Sequence, residues 1–159
     1  MSAADVEALM RQAIDAARQG IAAGQTPFGC AIQIGDRVLA ASHNTVWATT
    51  DITAHAEINA IRRACTALGE VHLTGAIVAT TCEPCPMCMA ALHWARAGEV
   101  VYGASIADAA AAGFNELSLS AKELLRLGGS SVKLTDGVLV EECRQLFELW
   151  KNSPARREY

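Results

Sequence analysis

The sequence lacks any apolar run of about 18 residues, the length that a membrane-spanning helix needs. Its first twenty residues alternate charged with apolar side chains and do not form the apolar block of a secretion signal. Internal repeats, low-complexity tracts and linkers are also missing. We therefore expect a cytoplasmic protein, without a membrane partner, whose 159 residues form one domain.

Positive charge is scarce as well. The chain has 13 lysines and arginines against 17 aspartates and glutamates, which gives a net charge of -4. Such a chain has no long-range attraction for the phosphates of a nucleic acid, so that class of partner is disfavoured. Because 52% of the residues are hydrophobic, the chain can build a substantial core, and a small-molecule substrate is the better expectation.

Six cysteines occur without an export signal, which favours metal ligands and buried thiols over a disulfide framework. Three lie in apolar stretches and are predicted to be core residues: Cys30, Cys65 and Cys143. The other three, Cys82, Cys85 and Cys88, follow one another at three-residue intervals. Their spacing makes them candidates for a metal site.

Apolar periodicity predicts helices that alternate with strands. A helix runs from Val6 to about Gly24, and a hairpin follows around Gly35-Asp36. The remaining predicted elements are a helix over 54–68, a strand over 76–80, a helix over 87–97, a strand over 100–103, a short helix over 122–127, a strand over 132–134 and a helix over 139–151. This order predicts a three-layer α/β/α fold with a mixed central sheet of about five strands, formed by residues 1–152, and a tail over 153–159.

His55-Ala56-Glu57 and Pro84-Cys85-Pro86-Met87-Cys88 each lie at the start of a predicted helix. Side chains at a helix N-terminus lean beyond its end, so His55, Cys85 and Cys88 can converge on one ion. Two thiolates and a neutral imidazole balance the charge of Zn²⁺ and leave its fourth position for water. Zinc lowers the pKa of that water to about 7, and an unbound carboxylate beside the metal can carry its proton. Glu57 is the predicted proton carrier.

A closed structural zinc site is the alternative, with Cys82 as the fourth ligand. It would make the chain a zinc-stabilised module without catalysis. In such a site Glu57 would have no function, which favours the catalytic interpretation.

The pairing of H-x-E with P-C-x-x-C is the signature of zinc deaminases. At these residues the sequence resembles the cytidine deaminase-like superfamily, and within it the bacterial guanine deaminases. The resemblance also includes the following segments: Pro27-Phe28-Gly29, Asn44, Thr53-Ala54, Thr81-Cys82-Glu83, His93-Trp94-Ala95-Arg96, Ala112-Gly113-Phe114 and Tyr159.

The resemblance implies one Zn²⁺ per chain, a homodimer and a set of substrate contacts. These contacts are Phe28, Asn44, Ala56, Trp94 and Glu116, with Tyr159 as a lid that can reach a partner subunit. The residues themselves leave other roles open, since Phe28 and Trp94 fit apolar registers of the core, Asn44 fits a turn and chain ends are often disordered.

The implied reaction converts guanine to xanthine with release of ammonia. Asn115 departs from the resemblance because close guanine deaminases usually carry an acid there, so aminotriazines or other aminopurines stay open as substrates. Cytosine and a nucleoside are further alternatives. A tRNA adenosine deaminase is also open but disfavoured, because 139–150 contains Glu141, Glu142 and Glu148 against Arg144 alone.

Overall fold

The computed structural model describes residues 2–159, which form seven helices and five strands. The helices are α1 (Ala3–Ala22), α2 (Val46–Thr49), α3 (Ala56–Leu68), α4 (Pro86–Trp94), α5 (Ile106–Ala111), α6 (Ala121–Gly128) and α7 (Val140–Lys151). The strands are β1 (Gly29–Ile34), β2 (Arg37–His43), β3 (Ile77–Cys82), β4 (Glu99–Ala104) and β5 (Lys133–Thr135).

The five strands form one mixed sheet in the order β2-β1-β3-β4-β5. β1 is antiparallel to both β2 and β3, whereas β3, β4 and β5 are parallel. The predicted hairpin, with Gly35 at a φ of 56°, and the predicted mixed sheet are therefore present. Because β3 and β4 are parallel neighbours, their carboxyl ends meet at one edge of the sheet, where Glu83 N–H donates to the Ala104 carbonyl at 2.8 Å.

Helices cover both faces of the sheet, as the three-layer prediction requires. α1 and α7 pack on one face, and α3, α4 and α6 lie on the other. The strand residues alternate accordingly: Val78 and Val100 belong to the core under α3 and α4, and their neighbours Ala79 and Val101 belong to the core under α1 and α7. Successive residues of a strand therefore point to opposite faces of the sheet and enter different cores.

Gly29 allows α1 to pack unusually close to β1. A Cβ atom at this position would overlap the carbonyl oxygen of Ala13. The Gly29 N–H is satisfied by the Thr81 hydroxyl at 3.0 Å, which ties the start of β1 to the end of β3. This close packing holds Phe28, the preceding residue, beside the last residues of β3.

Two short helices, α2 and α5, were not expected from the sequence, and α4 ends at Trp94 instead of near Ala97. Helices of four and six residues are too short to produce a clear apolar period. At the end of α4, Arg96 adopts a positive φ of 59°, which stops the helix early. Across residues 2–159, no helix is long and apolar enough to cross a membrane.

Candidate active site

Two helix N-termini bring the predicted metal ligands together. His55 is the N-cap of α3, and Cys85 is the N-cap of α4. Pro86 occupies the first turn of α4, where its missing N–H costs nothing, and Cys88 completes that turn. The sequence thus starts each helix at a ligand, as predicted.

The three donor atoms have the spacing that zinc requires. The Nδ1 atom of His55 lies 3.7 Å from Cys85 Sγ and 3.5 Å from Cys88 Sγ, and all three donors lie within 4.8 Å of one another. A tetrahedral zinc with Zn–S of about 2.3 Å and Zn–N of about 2.0–2.1 Å needs S···N separations of about 3.6 Å. The donor set therefore fits a zinc ion.

The two thiols differ in acidity. The hydrogen bond from Cys88, partly opposed by burial, lowers the pKa of Cys85 to about 4, and the interaction with His55 adds to this effect. The same hydrogen bond and deep burial raise the pKa of Cys88. Cys85 thus presents a ready thiolate to a cation, while binding by Cys88 requires release of its proton.

Cys82 does not join this group. Its thiol is buried at the end of β3 and donates to the Ser105 carbonyl at 3.4 Å. Among residues 2–159, the group of side chains placed to hold a metal consists of His55, Cys85 and Cys88. Three ligands leave a fourth tetrahedral position for a reactant, which argues against the closed site considered above.

Glu57 lies in the first turn of α3 and is 6% exposed. Burial raises the pKa of its carboxyl group, although the nearby His55 lowers it. The Thr80 hydroxyl lies 3.3 Å from Glu57 Oε1 and orients the carboxylate from β3. A buried carboxyl group beside the metal ligands, held by a hydrogen bond, suits the transfer of protons.

A cavity opens directly over these groups. Its inner part is lined by Phe28, Glu57 and Glu116 together with the ligands His55 and Cys85, and the wider mouth, of about 280 Å³, adds Ile52, Met87 and Leu117. Burial and the charge of Cys85 raise the pKa of Glu116, which lies on the loop between α5 and α6. The structure therefore brings Phe28 and Glu116 to the metal site.

Asn44 is completely buried at the end of β2, and its side chain is held on two sides. Its Oδ1 atom accepts a hydrogen bond from the Val46 N–H at 3.0 Å, and its Nδ2 atom donates to the Tyr159 hydroxyl at 2.7 Å. One Nδ2 proton and one Oδ1 lone pair are left for a ligand. The Asn44 side chain thus accepts the local hydrogen bond from Val46 that is typical of a turn, and it also binds Tyr159 in the tail.

Tyr159 lies over the metal ligands of its own chain. Its ring centroid is 5.6 Å from that of His55 and 5.6 Å from that of Phe114. Two residues earlier, the Arg157 carbonyl accepts a hydrogen bond from the Trp47 indole at 3.2 Å, and its guanidinium stacks 4.2 Å from the indole centroid. These contacts attach the tail to α2, immediately after Asn44.

Two further predicted contacts are placed differently. Ala56 is fully buried, so it can reach a ligand only through its backbone N–H, which the helix leaves without an intrahelical acceptor. Trp94 is 79% exposed and lines a separate surface cavity with His72 and His93. Trp94 lies eight positions after Pro86 in α4, about 12 Å along the axis, so the structure does not bring Trp94 to the site of its own chain.

Three other residues that shape the site were not among the predicted ones. Thr80 holds Glu57, and Phe114 packs edge-on against Phe28 with centroids 4.9 Å apart. Asn59 donates to the His43 carbonyl at 3.0 Å and to the Thr45 hydroxyl at 2.9 Å, which ties α3 to the segment around Asn44. Phe114 belongs to the segment Ala112-Gly113-Phe114 that carries the family resemblance, but no local sequence pattern indicates a role for Thr80 or Asn59.

The three core cysteines are placed nearly as expected. Cys30 and Cys143 are fully buried, whereas Cys65 is only half-buried at the edge of the core under α3. All six cysteines of the chain are free thiols.

The chain is similar to several known proteins over most of its length. It is 38% identical to the guanine deaminase of Bacillus subtilis over 154 residues, which cover 96% of this chain and 98% of the relative. It is 33% identical to the tRNA-specific adenosine deaminase of the same organism over 157 residues, with 96% and 95% covered. A solved guanine deaminase structure from Nitrosomonas europaea superposes with a TM-score of 0.83 at 28% identity, with 91% and 83% covered.

The family model for the cytidine and deoxycytidylate deaminase zinc-binding region matches residues 3–104. The match includes His55, Glu57, Cys85 and Cys88, and the solved structures confirm the predicted superfamily fold. The chain therefore belongs to the cytidine and deoxycytidylate deaminase zinc-binding family, and it is a zinc-dependent hydrolytic deaminase.

Proposed function

We propose that the chain deaminates guanine to xanthine and ammonia. The observation that carries the proposal is the placement of a half-buried carboxylate, Glu116, in the same cavity as the metal ligands and Glu57. Guanine presents a ring N–H and an amino group along one edge, and a carboxylate accepts two such hydrogen bonds. The 38% identity to a guanine deaminase over nearly the whole chain supports the same substrate.

The size and walls of the cavity also favour a free base. At about 280 Å³ its mouth is just below the range of about 300–1,000 Å³ for ligand sites, as a small ligand requires. Phe28, Phe114 and Tyr159 provide aromatic faces and edges around it. Asn44, through its remaining amide groups, and the Ala56 N–H are the proposed additional polar contacts.

Bound zinc supplies an activated water for addition to the amino-bearing carbon of the base. Glu57 accepts the proton of that water and delivers it to the adjacent ring nitrogen. Glu57 then takes the remaining proton of the hydroxyl added to that carbon and passes it to the amine, so that the C–N bond breaks, the carbonyl of xanthine forms and ammonia leaves. Thr80 keeps the carboxylate aimed at the reacting atoms, and burial excludes competing water from it.

The tail over 153–159 is proposed as a lid. Tyr159 covers the ligands, and the Trp47–Arg157 contact attaches the segment to the body of the protein. A closed aromatic lid would exclude water from the reacting base and leave little room for a polynucleotide. Its opening would set the rate of product release.

We further propose a homodimer that acts in the cytoplasm. A tryptophan as exposed as Trp94 is typical of surfaces that a second subunit covers. In such a dimer, Trp94 would contact a base bound in the partner's active site and not in its own. Free thiols at all six cysteines fit a reducing compartment. Light scattering on the wild type and on Trp94→Ala tests the dimer, which is overturned if both are monomers at micromolar concentration.

The substrate is tested by an ammonia-release screen with the zinc-loaded protein. The panel contains guanine, guanosine, cytosine, adenine, isocytosine, aminotriazines and a tRNA anticodon stem-loop. Turnover of guanine without turnover of cytosine or RNA is the expected result. Release of ammonia from the RNA alone would establish the tRNA adenosine deaminase function instead.

A further inference from the structure

Glu83 is a buried acid between the last residue of β3 and the Pro84-Cys85 metal turn. It is 8% exposed, and its backbone N–H donates to the carbonyl of Ala104, the last residue of β4. The reaction described above assigns no role to this carboxylate. Glu83 lies two residues before the metal ligand Cys85, so the groups that hold its carboxylate also bear on the position of the metal turn.

Both oxygens of Glu83 accept hydrogen bonds from the first residues of helices. The Ile106 N–H, at the start of α5, donates to Oε2 at 3.1 Å, and the Ala121 N–H, at the start of α6, donates to Oε1 at 2.9 Å. First-turn N–H groups have no intrahelical acceptor, and the helix dipoles favour a negative charge there. One carboxylate therefore joins two helix starts.

These two helices enclose the loop over 112–120, which carries Phe114 and Glu116. α5 leads into the loop, and the start of α6 ends it. The ion pairs found within residues 2–159 do not include Glu83, so the helix N–H groups are its identified partners. Its carboxylate thus connects the metal turn to the segments on either side of the loop.

We propose that Glu83 is a positioning residue for base recognition, which fixes Phe114 and Glu116 relative to Cys85. The proposal rests on the proposed function. Glu83 lines the inner cavity, but both of its oxygens are engaged by the helices, so it acts through the loop and not by contact with the base. Zinc binding and proton transfer use other side chains and do not depend on it.

Glu83→Gln tests this role, because the amide places an NH₂ group against one of the two backbone N–H donors. The KM for guanine is expected to rise about tenfold, the effect of losing one hydrogen bond to a charged group. The zinc content should stay at one per chain, and kcat should change far less than KM because the reacting groups are intact.

Ser120→Ala is the matched control. The Ser120 hydroxyl caps the same helix, α6, by accepting the Glu123 N–H at 3.1 Å, so its hydrogen bond stays within the start of α6. Ser120→Ala should lower the Tm by about as much as Glu83→Gln does and should leave the KM for guanine unchanged. An unchanged KM in Glu83→Gln, or an equal rise in Ser120→Ala, would overturn the positioning role.

Hydrogen exchange at Ile106 and Ala121 provides a readout that does not need activity. Both amides should exchange faster in Glu83→Gln, and equal exchange in the two proteins would overturn the proposal. If Glu83→Gln fails to fold, Glu83→Asp, which keeps the charge on a shorter stem, should show the same changes in KM and exchange. Failure of the wild type to deaminate guanine would refute the proposed function, while the exchange result would still decide whether Glu83 holds the loop.

Discussion

The two halves of the pocket are built from very different stretches of chain. In the metal half, His55 and Glu57 share the start of α3, and Cys85 and Cys88 share the start of α4. The half that we propose holds the base, the base half, instead draws its residues from four separate segments: Phe28 before β1, Asn44 after β2, Glu116 between α5 and α6, and Tyr159 in the tail. The metal half thus depends on local helix geometry, and the base half depends on the complete fold.

This contrast predicts that substitutions in the metal half abolish the reaction, whereas those in the base half change affinity. The largest effect is expected for Cys88→Ala, which removes a ligand. Zinc content should fall far below one per chain, and ammonia release should be lost. Metal analysis by atomic absorption and the activity assay measure both.

Cys82→Ala is the control for that change, because Cys82 is buried nearby but bonds to Ser105. It should retain zinc and most activity. If Cys82→Ala lost zinc as completely as Cys88→Ala, the site would be closed by a fourth thiolate and the open coordination position would be refuted.

The next effect is expected for Glu57→Gln, which keeps a polar side chain of equal size and removes the proton carrier. Zinc should remain bound, and kcat should fall by about 10³-fold, within the range for general acid–base catalysis. Turnover at the wild-type rate would refute the role of Glu57.

Glu116→Gln should act on recognition instead. Loss of a charged acceptor should lower kcat/KM for guanine by about tenfold to a hundredfold, mainly through KM. Steady-state kinetics measure this change. Glu123→Gln is the control, because Glu123 is a partly exposed acid on α6 paired with Arg126. Equal kinetics in the two variants would contradict the contact between Glu116 and the base.

The smallest effect is expected for Tyr159→Phe, which removes the hydroxyl that accepts the Asn44 hydrogen bond and keeps the ring over His55. KM should rise about threefold to tenfold, consistent with one neutral hydrogen bond. Tyr102→Phe, on β4, removes the chain's other tyrosine hydroxyl and should leave KM unchanged. A KM shift in Tyr102→Phe alone would disprove the lid contact.

The same contrast explains how much the sequence alone could predict. The ligands and Glu57 follow from two short motifs at helix starts, and alternating apolar periods predict the mixed sheet with helices on both faces. Contacts such as Asn44 to Tyr159 join residues far apart in the chain, and no local pattern indicates them. Asn44 and Tyr159 each entered the prediction through resemblance to a family, and the hydrogen bond between them was not predicted.

The role of Trp94 at the site stays a prediction, because the structure of a single chain does not bring it there. Its apolar helical register fits either the core or the pocket, but Trp94 is the last residue of α4 and its side chain is exposed. The short helices α2 and α5 were not predicted because an apolar period becomes visible only in a helix of more than two turns. Ser105 and Asp108, which form the capping box of α5, were the signal that could have revealed it.

The close packing at Gly29 has a consequence for enzyme redesign. Phe28 precedes β1 and Thr80 holds Glu57 from β3, and these strands are paired neighbours. Their separation is the fixed spacing of a β-sheet, about 4.8 Å, which side-chain changes do not alter. Strand pairing therefore fixes the backbone positions of Phe28 and of Thr80, the residue that holds Glu57. Variants that accept larger heterocycles should be sought in libraries of the loop over 112–120 and the tail, and not in the strands.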